Sequence, residues 1–338
     1  MSTSNVVTAP SFPGATIQGN FQGKDILSLD QFAAADLYTV FHTALQMKEL
    51  VQASKPSQVL AGKVIALLFF EPSSRTFGSF ASAVKRLGGQ TLDIQNPETV
   101  TSINKGETFE DTIRVFEAYA DAIVLRHPRS GAARIAAEAA RLVPVINAGD
   151  GTNEHPTQTL LDLCTIYERF GRLDHLSGLL AGDALNSRTM HSLMRGLSLF
   201  EQNRLYILAP ERLRLAHDDY VALRARGIEL CEIASEREIP RDCDFWYWTR
   251  IQRERLSSPE EYQELAAGKF IATPDLLTRY AKHDMILMDP LPRVGTIDPA
   301  VDQDERAVYL RSQIRNGLYT RMALLALLFS QYPHDRQW

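Results

Sequence analysis

The sequence predicts an α/β protein of two domains, each a parallel β-sheet flanked by helices. Three observations predict it. The chain has 338 residues, which at roughly 150 residues per domain gives two domains. Short apolar runs of strand length alternate with stretches of helical period, the order that builds parallel sheets covered on both faces. Hydrophobic residues are 45% and charged residues 23% of the chain, enough for a core in each half.

The elements follow in order. Residues 1–24 are rich in Ser, Thr, Pro and Gly and predict a flexible lead-in. Leu37, Phe41, Leu45 and Met47 then fall near one helix face, with Asp30 as the expected N-cap. KVIALLFF (63–70) reads as a strand buried on both faces. Phe77, Phe80, Ala81, Val84 and Leu87 recur at helical spacing until Gly88-Gly89 ends the helix. ADAIVLR predicts a strand, GAARIAAEAAR a helix, and VPVINAGDG a strand running into a glycine turn. TQTLLDLCTIYERFGRLD (157–174) predicts a helix bridging the domains. GLLAGDALN, RLYILAP, IELCEI, DFWYWTR and MILMDPLP supply strands of the second half, with RTMHSLMRGLSLF and HDDYVALRARG as helices among them. NGLYTRMALLALLFSQ is a last, strongly apolar helix.

Composition excludes several classes. A formal net charge of -5 argues against a protein that coats nucleic acid. Cys164, Cys231 and Cys243 are odd in number and form no CxxC pair, against a disulfide framework or a cysteine zinc site. No apolar run reaches the ~20 residues of a membrane helix, and no basic start with an apolar block marks a secretory signal. A cytoplasmic location is the resulting expectation, with no nucleic acid or membrane partner. HExxH, GxSxG, GxGxxG and GxxxxGK patterns are missing, so neither a metal nor another cofactor is expected.

Ligands of open parallel sheets bind beyond the carboxyl ends of the strands, and this sequence concentrates unusual polar groups there. Ser73-Ser74-Arg75-Thr76 follows the first strand. Helix N–H groups beside a guanidinium make a phosphate cradle, although capping with a surface Arg is the plainer reading. His155-Pro156-Thr157-Gln158 opens a helix whose dipole disfavours imidazolium, so a neutral His155 can donate to a carbonyl oxygen. Gln158 lies one turn on, and Arg126 and His127 end another strand. Lys105 sits in a polar loop; Arg188, Arg250 and Gln252 each read singly as surface residues. Several cations at several strand ends of an acidic chain together suggest a pocket for a substrate with more than one negative group.

FFEPSSRTFGSFASAVKRLGG, KGETFEDT, DAIVLRHPRSGAAR, INAGDGTNEHPTQTLLDL, GDALNSRTMHSL, WTRIQRERL, DPLPRV and NGLYTRMALLALLF, in this order, make the chain resemble the aspartate carbamoyltransferases of the aspartate/ornithine carbamoyltransferase superfamily. The resemblance covers nearly everything from Asp25 onward. It implies an enzyme joining carbamoyl phosphate to L-aspartate, the committed step of pyrimidine synthesis. It also implies a division into a carbamoyl-phosphate-binding domain over 25–156, completed by the C-terminal helix 315–338, an interdomain helix over 157–174, and an aspartate-binding domain over 175–314. By similarity Ser73, Arg75 and Thr76 hold the phosphate, and Thr76, Arg126 and His155 polarise the carbamoyl carbonyl. Gln158 and the backbone of Leu291 and Pro292 orient the carbamoyl amino group. Arg188, Arg250 and Gln252 hold the carboxylates of aspartate. Lys105, beside Thr101 or Ser102, matches a loop lent to a neighbouring subunit, which implies a homotrimer with shared sites. Regulatory chains or pathway enzymes are further partners the resemblance allows. Glu71, Arg188 and Arg255 match residues that pair across domains on closure.

Two positions depart from the family pattern. Phe77 replaces an Arg or small residue and is assigned to the helix. Asp289 stands in DPLP where the family reads HPLP. A carboxylate there is expected to weaken the anion site unless an Arg pairs with it, so Asp289→His is expected to be neutral or favourable. An ornithine carbamoyltransferase is the nearest alternative, opposed by the absence of HCLP and SMG patterns and by TRIQ. A non-catalytic relative and a nicotinamide dehydrogenase are the others; the latter lacks its glycine fingerprint.

Overall fold

The computed structural model describes residues 16–100, 105–151, 153–266 and 270–329. Its first half begins with α1 (Ala34–Gln52), β1 (Val64–Phe69), α2 (Ser74–Arg86), β2 (Gln90–Gln95), α3 (Pro97–Val100) and α4 (Phe109–Glu117). It continues through β3 (Ala122–His127), α5 (Ala132–Ala139) and β4 (Val145–Asp150) to the long α6 (Pro156–Phe170). Pro156 starts α6 with its ring pre-set for the first turn, and Gly171, at φ 68°, ends it in a left-handed cap. The second half holds β5 (Ser177–Ala181), α7 (Arg188–Leu197), β6 (Arg204–Leu208), α8 (His217–Ala225), β7 (Glu229–Ile233) and β8 (Phe245–Trp248). After these come α9 (Pro259–Ala266), α10 (Pro274–Tyr280), β9 (Ile286–Met288) and α11 (Ser312–Phe329).

The strands form two sheets with every pairing parallel, ordered β2-β1-β3-β4 and β7-β6-β5-β8-β9. In the first sheet the chain steps outward from β1 to β2, then returns to the other side of β1. In the second it steps outward from β5 through β6 to β7, then returns beside β5 as β8. Each reversal opens a crevice at the carboxyl ends of the central strands. The β1, β3, β5 and β8 interiors are buried almost throughout, which is why they read as unbroken apolar runs.

α11 is buried along Met322–Leu328 and packs against α1, α2 and α6. Its nearly all-round apolarity follows from being enclosed. One apolar cluster runs from Phe41 and Phe80 through Leu160 and Leu163 of α6 to Leu180 and Leu193, so the core continues from one sheet to the other.

The structure corrects three sequence expectations. Residues 16–24 of the expected flexible lead-in are packed: Ile17 and Phe21 are buried, and the Gly23 N–H donates to Leu328 O at 3.1 Å. Residues 1–15 and 330–338 lie outside the described residues. Asp30 does not cap α1. A short 3-10 turn at Leu29–Gln31 uses Ser28 as its cap, and α1 starts later, with the Asp36 carboxylate accepting from the Ala33 N–H. Strand β2 had no sequence signal because QTLDIQ is a half-exposed edge strand with little apolar content.

Candidate active site

The polar strand ends converge. A cavity of about 860 Å³ opens between the carboxyl edges of the two sheets, and its lining includes Ser73, Arg75, Thr76, Arg126, His155 and Gln158 from the first half. Arg188, Arg250, Gln252, Leu291 and Pro292 line it from the second half. Lys105 is exposed and lies outside this lining. Thr101 and Ser102 lie outside the described residues.

The start of α2 forms one wall. Ser73 occupies the N-cap position, yet its side chain makes no capping bond. The plain capping role is therefore not what its hydroxyl does, and the helix N–H groups remain at the cavity edge. Arg75 reaches across the cavity, Nη2 donating to Leu291 O at 3.0 Å. Thr76 is buried, its Oγ1 3.4 Å from His155 Nε2. Phe77 turns into the core, edge-on to Phe69 at 5.3 Å between ring centroids.

Arg126 ends β3 with only 8% exposure. Its Nη1 donates to Ala148 O at 3.2 Å, and Nη2 pairs with Glu71 Oε2 at 3.0 Å. Burial pulls its pKa down, and Arg188 and Arg75 add to that against the opposing Glu71. Gly149, at φ 116°, makes room for it: a Cβ there would stand 3.0 Å from Arg126 Nη1 and 3.5 Å from the His155 ring. His127 is not part of the site. Alternation along β3 sends it to the opposite face, where it packs between Phe70 and Phe109 and its Nδ1 accepts from the Arg129 N–H. Burial, then Arg129, lowers its pKa to about 4.

His155 is buried at the N-cap of α6 and its pKa is held well below the ordinary 6.5. The main cause is burial, followed by Arg126, Arg188 and Arg321. The imidazole is neutral, as the helix position suggested, but the neighbours that keep it so come from other elements.

In the second half, Arg188 opens α7 and its Nη1 donates across the cavity to Gly151 O. Gln252 is fixed twice: its N–H donates to Asp183 Oδ2 at 3.1 Å and its Nε2 to Asn186 O at 2.7 Å. Asp183 also accepts from the Asn186 N–H, so one carboxylate ties the loops after β5 and β8 together. Arg255 Nε donates to Gln252 Oε1 at 2.9 Å. Here Glu71 pairs with Arg126, while Arg188 and Arg255 donate to Gly151 O and Gln252 Oε1, and Glu71 still favours the charged form of Arg188.

Sequence reading missed the groups beneath these. Asp162 lies one turn beyond Gln158 and is fully buried. It accepts from Gln158 Nε2 at 3.0 Å, Gln313 Nε2 at 2.7 Å and Tyr247 OH at 2.9 Å. Burial raises its pKa to about 7 against these bonds. Arg321, a cation inside the apolar α11, lies over the Phe80 ring and donates to Thr157 Oγ1 and Ser79 Oγ. Its signal in the sequence was a charge directly before the apolar MALLALL run, since such a residue is buried only when partnered. Asp289 is also buried: its carboxylate accepts from the Leu291 N–H at 2.5 Å and Thr296 Oγ1 at 3.1 Å. Burial raises its pKa to about 7.

The arrangement can hold two anionic ends around a carbonyl carbon, with neutral and cationic donors aimed into one space. Comparisons with known proteins identify the family. Residues 24–168 match the model described as "Aspartate/ornithine carbamoyltransferase, carbamoyl-P binding domain", and residues 175–328 that described as "Aspartate/ornithine carbamoyltransferase, Asp/Orn binding domain". The chain is 46% identical to the chloroplastic aspartate carbamoyltransferase of Arabidopsis thaliana over 91% of its length and 78% of that protein. It is 45% identical to the aspartate carbamoyltransferase catalytic subunit of Thermococcus gammatolerans, covering 91% of this chain and 98% of that one. The solved aspartate transcarbamoylase of Trypanosoma cruzi in complex with N-(phosphonacetyl)-L-aspartic acid superposes with a TM-score of 0.84 at 36% identity, covering 91% and 96%. The cytoplasmic location expected from the N-terminus is overturned by these relatives: the Arabidopsis protein is chloroplastic, so likeness to it carries no cytoplasmic address. With both halves matched in order, the chain belongs to the aspartate/ornithine carbamoyltransferase family.

Proposed function

We propose that this protein transfers the carbamoyl group of carbamoyl phosphate to L-aspartate, giving N-carbamoyl-L-aspartate and phosphate for pyrimidine synthesis. The observation that carries the reading is the single cavity that gathers Arg75, Thr76, Arg126 and His155 with Arg188, Arg250 and Gln252. The half built on the first sheet, with α11, takes carbamoyl phosphate, and the half built on the second takes aspartate.

The chemistry follows from the groups present. The α-amine of aspartate attacks the carbamoyl carbon directly. Negative charge grows on the carbonyl oxygen, where Thr76, Arg126 and neutral His155 donate; one such fixed donor contributes about 3 kcal/mol. Ser73, Arg75 and the α2 N-terminus receive the phosphate, whose oxygens can take the amine proton as it leaves. Gln158 and the carbonyl of Leu291 orient the carbamoyl amino group, with Pro292 shaping the turn. Arg188, Arg250 and Gln252 hold the two carboxylates, which sets specificity for aspartate over a cationic amino acid. Enclosure between the two sheets excludes water and strengthens each interaction.

A homotrimer in which Lys105 of one chain enters a neighbour's site is the assembly this reading favours, supported by the exposure of Lys105 away from its own cavity. A relative named as a catalytic subunit supports the further reading that regulatory chains attach.

The test is direct. Purified protein with carbamoyl phosphate is given aspartate or ornithine, and phosphate release and products are measured. Carbamoyl aspartate is the expected product; citrulline alone would move the chain to the ornithine branch.

A further inference from the structure

We infer that Asp289 is a positioning residue, bracing the 289–292 turn from inside so that the Leu291 carbonyl meets the carbamoyl amino group. This rests on the role proposed above for that carbonyl. Asp289 follows β9 directly and is 3% exposed. Its Oδ1 accepts from the Leu291 N–H at 2.5 Å and its Oδ2 from Thr296 Oγ1 at 3.1 Å, so one carboxylate joins the two arms of the loop. Its own N–H donates to Gln313 Oε1 at 3.1 Å, and Gln313 Nε2 donates to Asp162 Oδ1, the oxygen that also receives Gln158. The turn is thereby set in register with α6, and Leu291 and Gln158 approach the same substrate group from opposite elements.

The turn needs a brace. Leu291 has φ 59°, a left-handed conformation that a leucine keeps only when its surroundings fix it. Its carbonyl points at Arg75, with O 3.0 Å from Nη2. A carboxylate suits the position because it accepts on both oxygens, whereas a neutral imidazole accepts on one nitrogen only. The expectation was that Asp289 weakens an anion site unless an Arg pairs with it; in this reading it holds part of that site instead. Burial opposes its ionisation, whereas the charges of Arg293 and then Arg75 favour it; Arg293 also pairs with Asp302 at 2.6 Å.

The experiment compares carbamoyl phosphate with inorganic phosphate, which shares the cradle but lacks the carbamoyl end. In the full chain, Asp289→Ala is expected to raise KM for carbamoyl phosphate by about tenfold, the worth of a lost buried hydrogen bond, while phosphate inhibition shifts by less than about threefold. Asp289→Asn is expected to recover to within about threefold of the parent, its amide oxygen accepting from Leu291 and its NH2 donating to Thr296 Oγ1. Thr296→Val moves KM in the same direction by less. An unchanged KM in Asp289→Ala overturns the inference. So does equal weakening of phosphate, which marks collapse of the whole site, or an Asn variant as impaired as Ala, which marks charge and not bonding as the cause. Should the Ala variant not fold, the Asn and Thr296→Val pair decide. Absence of carbamoyl aspartate from the parent enzyme refutes the proposed reaction, yet calorimetric binding of the two anions still reads Asp289.

Discussion

Replacing Asp162 by Asn tests whether a buried, neutralised carboxyl underlies the site. The substitution keeps shape: Oδ1 can still accept from Gln158 and Gln313, and the Tyr247 hydroxyl can turn to accept from the new NH2. It removes the proton. Asp162 is raised from 3.8 to about 7 by burial, and at 1.36 kcal/mol per unit, ionising it in the folded chain costs about 4 kcal/mol more than in the unfolded one. Because the folded pKa is the higher one, the folded state binds more protons between these values. Its stability contribution is complete below 3.8, falls as pH rises, and is flat above about 7. Between pH 5 and pH 8 the parent loses roughly 2 to 3 kcal/mol through this group, and the Asn variant loses none of it. Urea unfolding of both proteins at fixed chain concentration, repeated across that range, gives the difference directly. The contribution of Asp289 is common to both and cancels apart from its repulsion with Asp162. A stability difference that does not change with pH would refute the reasoning, since Asp162 would then be ionised throughout.

Three further perturbations address the chemistry. Arg126→Ala is expected to lower kcat by roughly 100-fold or more in steady-state assays, since it removes the donor proposed for the developing oxyanion and strips Glu71 of its partner. His155 is expected to contribute no limb to the pH dependence of kcat/KM near 6.5, because burial and Arg126 hold it neutral well below that pH; a limb there that vanishes in His155→Asn would contradict this. Mixing inactive Lys105→Ala chains with inactive Arg126→Ala chains is expected to regain activity through sites formed between one chain of each kind. Mixtures no more active than their parents would remove the shared site.

The parts of the fold that sequence showed are those whose physics is local. β1, β3, β5 and β8 are enclosed almost throughout, so their runs are continuous and short. The strand-end cations were visible because a charged residue directly after an apolar run is conspicuous. What stayed hidden depends on packing across the chain. β2 is an edge with one half-exposed face. Residues 16–24 look like a tail until α11 closes over them. Asp162 reads as one helical carboxylate among many until Tyr247 and Gln313, far away in sequence, bury it. His127 and Arg126 are adjacent and equally polar, and only the surroundings of β3 show which of them faces the cavity.

The site's electrostatics explain why direct attack suffices. Arg75, Arg126, Arg188, Arg250, Arg255, Arg315 and Arg321 all line one cavity, together with Glu71 and Asp289. Like charges about 8 Å apart in a partly buried site repel by roughly 2 kcal/mol at an effective dielectric of 20, and Arg126 registers this as a pKa lowered by burial and further by Arg188 and Arg75. A surface would let the side chains drift apart. Here Ala148, Gly151, Leu291 and Gln252 hold Arg126, Arg188, Arg75 and Arg255 by hydrogen bonds, so the repulsion is retained in the fold. Anions entering the cavity relieve it, and so does charge that grows on a carbonyl oxygen during attack. The donors need not reorganise at that moment, which is the condition under which fixed dipoles and cations lower a barrier most. Cys164, the thiol on α6, is buried with its pKa pushed up and takes no part. Catalysis on this scaffold is a matter of where positive charge is held, and a substitution that lets one guanidinium relax is expected to cost more in kcat than in binding.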